Sequence, residues 1–139
     1  MTVLNKSIRL STKGNCDMID ITTEIADEIK NSTINNGIAT IFISGSTAGI
    51  TTIEHEDGLI SDFKDMWDRN VPPNIPYQHD LRWRDGNGHS HVRASIQGPS
   101  LVVPFTNKKM TLGTWQQIVV VDFDNRPRAR EIILQLLGE

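Results

Sequence analysis

Apolar and polar positions change period several times along the chain, and each change marks an element. Val3 to Leu10 mixes β-branched and apolar residues with polar ones in rough alternation, the signature of a strand, and a turn follows at Gly14-Asn15. From Asp20 the spacing becomes helical. Ile21, Ile25, Ala26 and Ile29 fall on one face, Asp20 is placed to cap the first turn, and Asn35-Asn36-Gly37 ends the element, which predicts a helix over residues 20–32. The apolar run from Ile38 to Ser44 reads as a buried strand. Residues 44–54, SGSTAGITTIE, read as a tight connection with accessible backbone amides. A second helix is predicted over residues 57–70, where Leu59, Phe63, Met66 and Trp67 make one apolar stripe and Val71-Pro72-Pro73 stops it.

Residues 72–90 are rich in Pro, Asn, Asp, Gly and His and predict a long irregular loop, a kind of segment that is usually functional or disordered. Tyr77, Trp83 and the histidines argue for order. The rest reads as a β meander: Leu101 to Phe105, a turn at Asn107-Lys108-Lys109, Gln117 to Phe123, and a turn at Asp124 to Pro127. The last apolar run, Arg130 to Leu137, fits strand or helix. With no repeat, low-complexity tract or linker, the 139 residues predict one domain over 1–139.

Composition narrows the partners. A net charge of −3 gives no electrostatic footprint for nucleic acid. The first residues lack a secretory pattern and no apolar stretch approaches a membrane span, so a cytoplasmic protein without a membrane partner is expected. The lone Cys16 cannot form an internal disulfide or a cysteine-based zinc site. A hydrophobic fraction of 37 % is low for a compact monomer, and three Trp in so aromatic-poor a chain point to apolar contacts between subunits or at sites.

The chemistry-bearing residues concentrate in residues 77–95, YQHDLRWRDGNGHSHVRAS. On an extended segment His89 and His91 would present imidazoles on one face, and a loop could fold His79 back onto them, giving nitrogen ligands for a divalent metal, zinc before manganese, nickel or iron. Local hydrogen bonding of polar loop histidines is the alternative. His55, between Glu54 and Glu56, reads as a solvated surface residue. Of the carboxylates Glu54, Asp57, Asp80 and Asp85, Glu54 is the preferred general base or metal partner. Ser46 and Thr47, between Gly45 and Gly49, fit a phosphate cradle or equally a tight turn. Arg93, with Arg82 and Arg84, fits an anion clamp or a surface ion pair. Trp115, flanked by Thr114 and Gln116, fits a stacking platform or a subunit contact.

SGSTAGITTIE, YQH, DGNGHSHVRASIQGPSLVVPF, TLGTWQQIVVVDFDNRPRAR and the terminal Gly138-Glu139, in this order and spacing, resemble the YjbQ-like family of secondary thiamine-phosphate synthases from about residue 4 onward. The resemblance implies an α+β fold, an antiparallel β-sandwich with helices packed outside, assembled as a homotrimer with sites near subunit boundaries. It also implies a metal-associated site at His79 and His91, alongside Glu54, Asn87 and the segment Gly113 to Gln116. The implied reaction joins a pyrimidine diphosphate to a thiazole phosphate. This sequence departs from the commoner pattern, having Gly45 where many relatives have His and Ile53 where Asn is common. One expectation is that His89 replaces the missing imidazole. On this reading His91, Arg93 and Glu54 are catalytic, and Ser46, Thr47, Asn87, Thr114, Trp115 and Gln116 bind a phosphorylated small molecule. A ligand-binding trimer without turnover and a metal-assisted phosphate-ester hydrolase are the rivals.

Overall fold

A computed structural model describes residues 1–139, with every strand pairing antiparallel. In chain order the elements are β1 (Thr2–Thr12), β2 (Asp17–Asp20), α1 (Thr22–Asn31), β3 (Gly37–Ile43), β4 (Ala48–Ile53), α2 (Asp57–Asn70), α3 (Gln78–Trp83), α4 (Gly88–Gln97), β5 (Ser100–Thr106), β6 (Lys109–Met110), β7 (Gln117–Asp122) and β8 (Arg128–Gly138). Two sheets form, a five-stranded one in the order β1-β8-β3-β5-β6 and a three-stranded one in the order β2-β7-β4. The α+β sandwich with flanking helices expected above is present. No helix is long and apolar enough to cross a membrane.

Burial along the strands follows from this layering. β8 resolves the ambiguous terminal run as a strand: Ile132, Leu134 and Leu136 are fully buried, while Ile133, Gln135 and Leu137 on the alternate face are not. β7 does not alternate, because it is the central strand of the middle layer. Ile118 and Val120 join the core between the sheets, where α1 contributes Ile25 and Ile29. Val119, Val121 and Phe123 face the other way, toward Trp67 and Val71 at the end of α2 and Ala94 of α4. Phe63, Trp67 and Phe123 stack edge to face there, with centroids 6.0 and 5.1 Å apart.

The element predictions differ from the structure in instructive places. Asp20 does serve α1, accepting from the Thr22 amide at 2.9 Å, but from the end of a short strand that the helical spacing concealed. The Gly-rich connection is shorter than expected, since β4 begins at Ala48 and pairs with β7. The supposed loop of residues 72–90 contains α3, and the segment expected to be extended around His89 and His91 is the start of helix α4.

The two sheets are joined by buried charge. Arg130 of β8 donates through Nε and Nη2 to both carboxylate oxygens of Asp122 of β7, at 2.7 and 2.9 Å. Thr12 of β1 donates to the same carboxylate at 2.6 Å. Arg130 Nη2 also reaches Thr47 Oγ1 at 2.7 Å, and Thr47 donates onward to Asp124 at 2.8 Å. Arg128 Nε completes the set at 2.9 Å from Asp124. Asp122 and Asp124 are both fully buried. Burial pushes the Asp124 carboxyl up, but bonds from Thr47, Asn87 and Arg128, with the Arg128 charge, outweigh it and hold the group below its ordinary value.

Replacing Arg130 strands a buried carboxylate. Arg130→Met should lower stability by about 3–5 kcal/mol in urea unfolding, whereas Thr12→Val should cost about 1.5–3 kcal/mol. Because the folded Asp124 value lies below the ordinary 3.8, its contribution is complete above that pH and is lost as pH falls through the folded value. Asp124→Asn should therefore flatten the acid limb of a stability–pH curve while lowering the plateau at neutral pH.

Candidate functional site

α3 and α4 form a helical hairpin that brings His79 and His91 together. Its corner is defined by backbone needs. Arg84 ends α3 in the left-handed region at φ 53°, and Gly86 follows at φ 65°. Gly88 opens α4 where an added Cβ would stand 2.6 Å from Tyr77 Cβ, so only glycine lets the two helix starts approach this closely. The Tyr77 hydroxyl donates to the Pro72 carbonyl at 2.6 Å, anchoring the hairpin to the end of α2. Asn125, in the β7–β8 turn, donates its amide N–H to Asn87 Oδ1 at 3.1 Å and its side chain to the Asp85 carbonyl at 2.7 Å. The hairpin is thus bolted to the turn that carries the buried charge network.

Asp80 ties the hairpin internally, accepting the Gly88 amide of α4 at 2.8 Å. Burial raises its carboxyl, but the Gly88 bond, His79 and the Asn87 amide together hold it below the ordinary range. Asp85 accepts from the Asn87 amide at 3.2 Å. Between these two carboxylates lies His79 Nδ1, 3.5 Å from Asp80 Oδ1 and 3.4 Å from Asp85 Oδ1. That nitrogen is buried and makes no aligned hydrogen bond. Ligand atoms of His79, Asp80 and Asp85 all lie within 4.8 Å of one another. The His91 ring packs against His79 with centroids 4.5 Å apart. An imidazole nitrogen within ion-pair distance of two carboxylates is a donor set that also fits a divalent cation.

The helix separates the remaining candidates. Residues two apart on a helix diverge by about 200°, so His89 points away from His91. His89 is buried with its ring 6.3 Å from that of Tyr77, and burial together with the nearby Arg93 charge lowers its pKa. Arg93 lies on the His89 side and ties α4 to α2. Its Nε and Nη2 donate to the Val71 carbonyl at 3.0 and 2.7 Å, and Nη2 meets Asp68 at 2.9 Å. Thr47 spends its hydroxyl inside the charge network, while Ser46 is exposed. Asn87 is buried at the start of α4, where its side chain holds the Asn125 amide.

Glu54, Thr114, Trp115 and Gln116 gather in a third place. With Thr52, Ile53 and Gly113 they line an open concavity of about 420 Å³. Gln116 shapes it by accepting from the Gly113 amide and donating to Thr52, both at 3.1 Å. Trp115 presents its indole at 71 % exposure. The sequence reading weighed Asp80 and Asp85 but placed Glu54 ahead of them. It missed Asp122, Asp124 and Arg130 altogether. Their signal was present as charged residues two apart, Asp122 and Asp124 at and just past the end of β7 and Arg128 and Arg130 at the start of β8.

Known proteins share both the sequence and the fold. A family profile described as UPF0047 protein, YjbQ-like, matches residues 6–139. A UPF0047 protein of Methanothermobacter thermautotrophicus is 37 % identical over 100 % of this chain and 95 % of its own. The UPF0047 protein YugU of Bacillus subtilis is 35 % identical over 96 % of this chain and 98 % of its own. Among solved structures, a YbjQ-like protein of unknown function from Sulfolobus solfataricus superposes with a TM-score of 0.93 at 35 % identity, covering 99 % of each chain. A hypothetical protein from Aeropyrum pernix gives 0.90 at 29 % identity, covering 98 % of this chain and 99 % of the other. With a profile that spans nearly its whole length and a fold that superposes throughout, this chain belongs to the YjbQ-like UPF0047 family.

Proposed function

We propose that the protein is a metal-dependent transferase of the cytoplasm that joins two phosphorylated small molecules, a pyrimidine diphosphate and a thiazole phosphate, in the manner of a thiamine-phosphate synthase. The observation that carries this reading is His79 Nδ1, buried and unbonded between Asp80 and Asp85. Zinc is the proposed ion, held by His79 and the two carboxylates with His91 adjoining; His89, on the other side of α4, is outside the set. When bound, a divalent cation there would offset the charge that develops on a departing diphosphate. Asp80 would face such an ion while it fixes the start of α4 through Gly88. His91, packed on His79, is the general acid or base of the pair. Trp115 offers a face to one heterocycle, with Thr114, Gln116 and Glu54 supplying polar contacts around it.

A homotrimer completes the proposal. The outer face of the five-stranded sheet has no helix over it and exposes Val3 of β1, Ile38 and Phe42 of β3 and Val102 of β5. Such a face is the kind that oligomers cover. Light scattering on the purified protein should give three times the chain mass, and Phe42→Glu should reduce it.

Metal analysis of protein prepared without a histidine tag tests the ion. Near one equivalent of zinc is expected, with affinity falling by at least about tenfold in His79→Ala and Asp85→Asn and unchanged in His89→Leu. Wild type that neither carries metal nor takes up added zinc or manganese would overturn the site. Thiamine phosphate formed from the two substrates by the loaded protein supports the transferase reading, whereas release of phosphate without joining would replace it with a hydrolase.

A further inference from the structure

The face of α4 turned away from His79 and His91 lines a second polar cavity, which the proposed reaction does not use. It measures about 220 Å³ and is walled by Asn15, Cys16, Lys64, Asp68, Pro73, His89 and Arg93. That is far more space than the roughly 10–15 Å³ a single water needs. Two cationic side chains meet here with N–H groups that no protein acceptor takes up, beside the buried His89 ring. His89 is more than nine-tenths buried, and its Nδ1 has no hydrogen-bond partner. Its Nε2 comes only within 3.4 Å of Ser90 Oγ, a hydroxyl already committed to the Phe123 carbonyl. Arg93, equally buried, uses Nε and Nη2 for Val71 and Asp68, so the two N–H groups of Nη1 are unspent. Lys64 makes neither an ion pair nor a hydrogen bond, although Asp68 lies one helical turn away.

The wall of the cavity is net positive. Lys64 and Arg93 contribute two positive charges against the carboxylate of Asp68, which is 61 % exposed and occupied with Arg93 Nη2, while Asp17, Asp80 and Asp124 act on Cys16 or His89 from outside the wall. Cys16 adds no negative charge at neutral pH, since burial pushes its thiol up to about 11. Half a guanidinium and an ammonium at one cavity match the charged donors a tetrahedral oxyanion requires.

We propose that this cavity is a binding site for a small tetrahedral oxyanion, inorganic phosphate or a terminal phosphate group, held by Lys64 and Arg93 Nη1. It does not depend on the metal at His79, because α4 stands between the two places. Inorganic phosphate is the probe. Calorimetric titration and phosphate-induced shifts of the His89 ring resonances should report one saturable site in the wild-type protein. Lys64→Met, at a half-exposed helix position that tolerates the change, should weaken binding by at least about tenfold, the worth of one charge-assisted bond. His91→Ala, on the opposite face, should leave phosphate affinity intact. Absence of saturable binding would overturn the proposal. So would binding that survives Lys64→Met but is lost in His91→Ala, which would put the anion on the metal side of the helix. A crystal structure at high phosphate showing only waters in the cavity would also refute it, and comparison of phosphate with a phosphate monoester would tell a free ion from a substrate group.

Discussion

The bidentate pairing of Arg130 with Asp122 is the constraint around which the molecule is arranged. It joins the five-stranded sheet to the three-stranded one at a point where both are closed to water. A buried ion pair of this kind is costly to desolvate and tolerates little displacement. Its satisfaction requires Thr12 from the first strand, Thr47 from the connection between the sheets and Asp124 from the turn after β7. Four segments distant in sequence therefore converge on one set of donors and acceptors. Gly45 belongs to the same constraint: at φ 123°, with Arg130 Nη1 only 2.7 Å from where a Cβ would sit, it leaves the guanidinium room. The glycine is thus part of how the charge network is housed.

The network also fixes the chemistry-bearing hairpin. Asp124 and Asn125 follow directly from the strand that carries Asp122, and Asn125 grips both Asn87 and Asp85. Rigidity passes from the sheet junction to the turn, and from the turn to the start of α4. His79 and its carboxylates gain their mutual spacing from this indirect support, because α3 is a helix of only six residues. A site on so short a helix needs a second layer of fixed contacts, and the β7–β8 turn provides it.

Much of the fold was legible because the hydrophobic period was clear. α2 was read with its observed bounds, since its stripe is regular and Glu56 caps it through the Gly58 and Leu59 amides. The strands of the meander were likewise readable. α3 and α4 were not, because Pro, Gly, Asn and Asp gave the whole stretch the composition of a loop, and α4 buries Ser90 and Arg93 where a periodic apolar stripe would be expected. That single misreading changed the site. His-x-His presents one face in a strand and two in a helix, so the three histidines drawn together from sequence divide into a pair and an outlier. The partnership of His79 with Asp80 and Asp85 depends on the left-handed turn at Arg84, which local sequence does not announce. Glu54 and residues 113–116 line one concavity, apart from His79 and His91, and no sequence spacing joins them.

The position of β8 bears on how the molecule comes into being. Last of the strands in sequence, it lies between β1 and β3 and pairs with both, joining Thr2 to Gly138 at one end of the ladder. While the chain is being synthesised, β1 and β3 therefore emerge with edges that stay unpaired until the last strand follows. Helix α1 and the strands of the smaller sheet can form meanwhile, but closure of the larger sheet is among the final events, and it places Arg130 against Asp122 at the same moment. Such long-range pairing is slow and leaves the nascent edges open to wrong partners. Assembly is consequently committed only when the charged strand slides into the gap kept for it, so that correct sheet order and neutralisation of the buried carboxylate are achieved in one step.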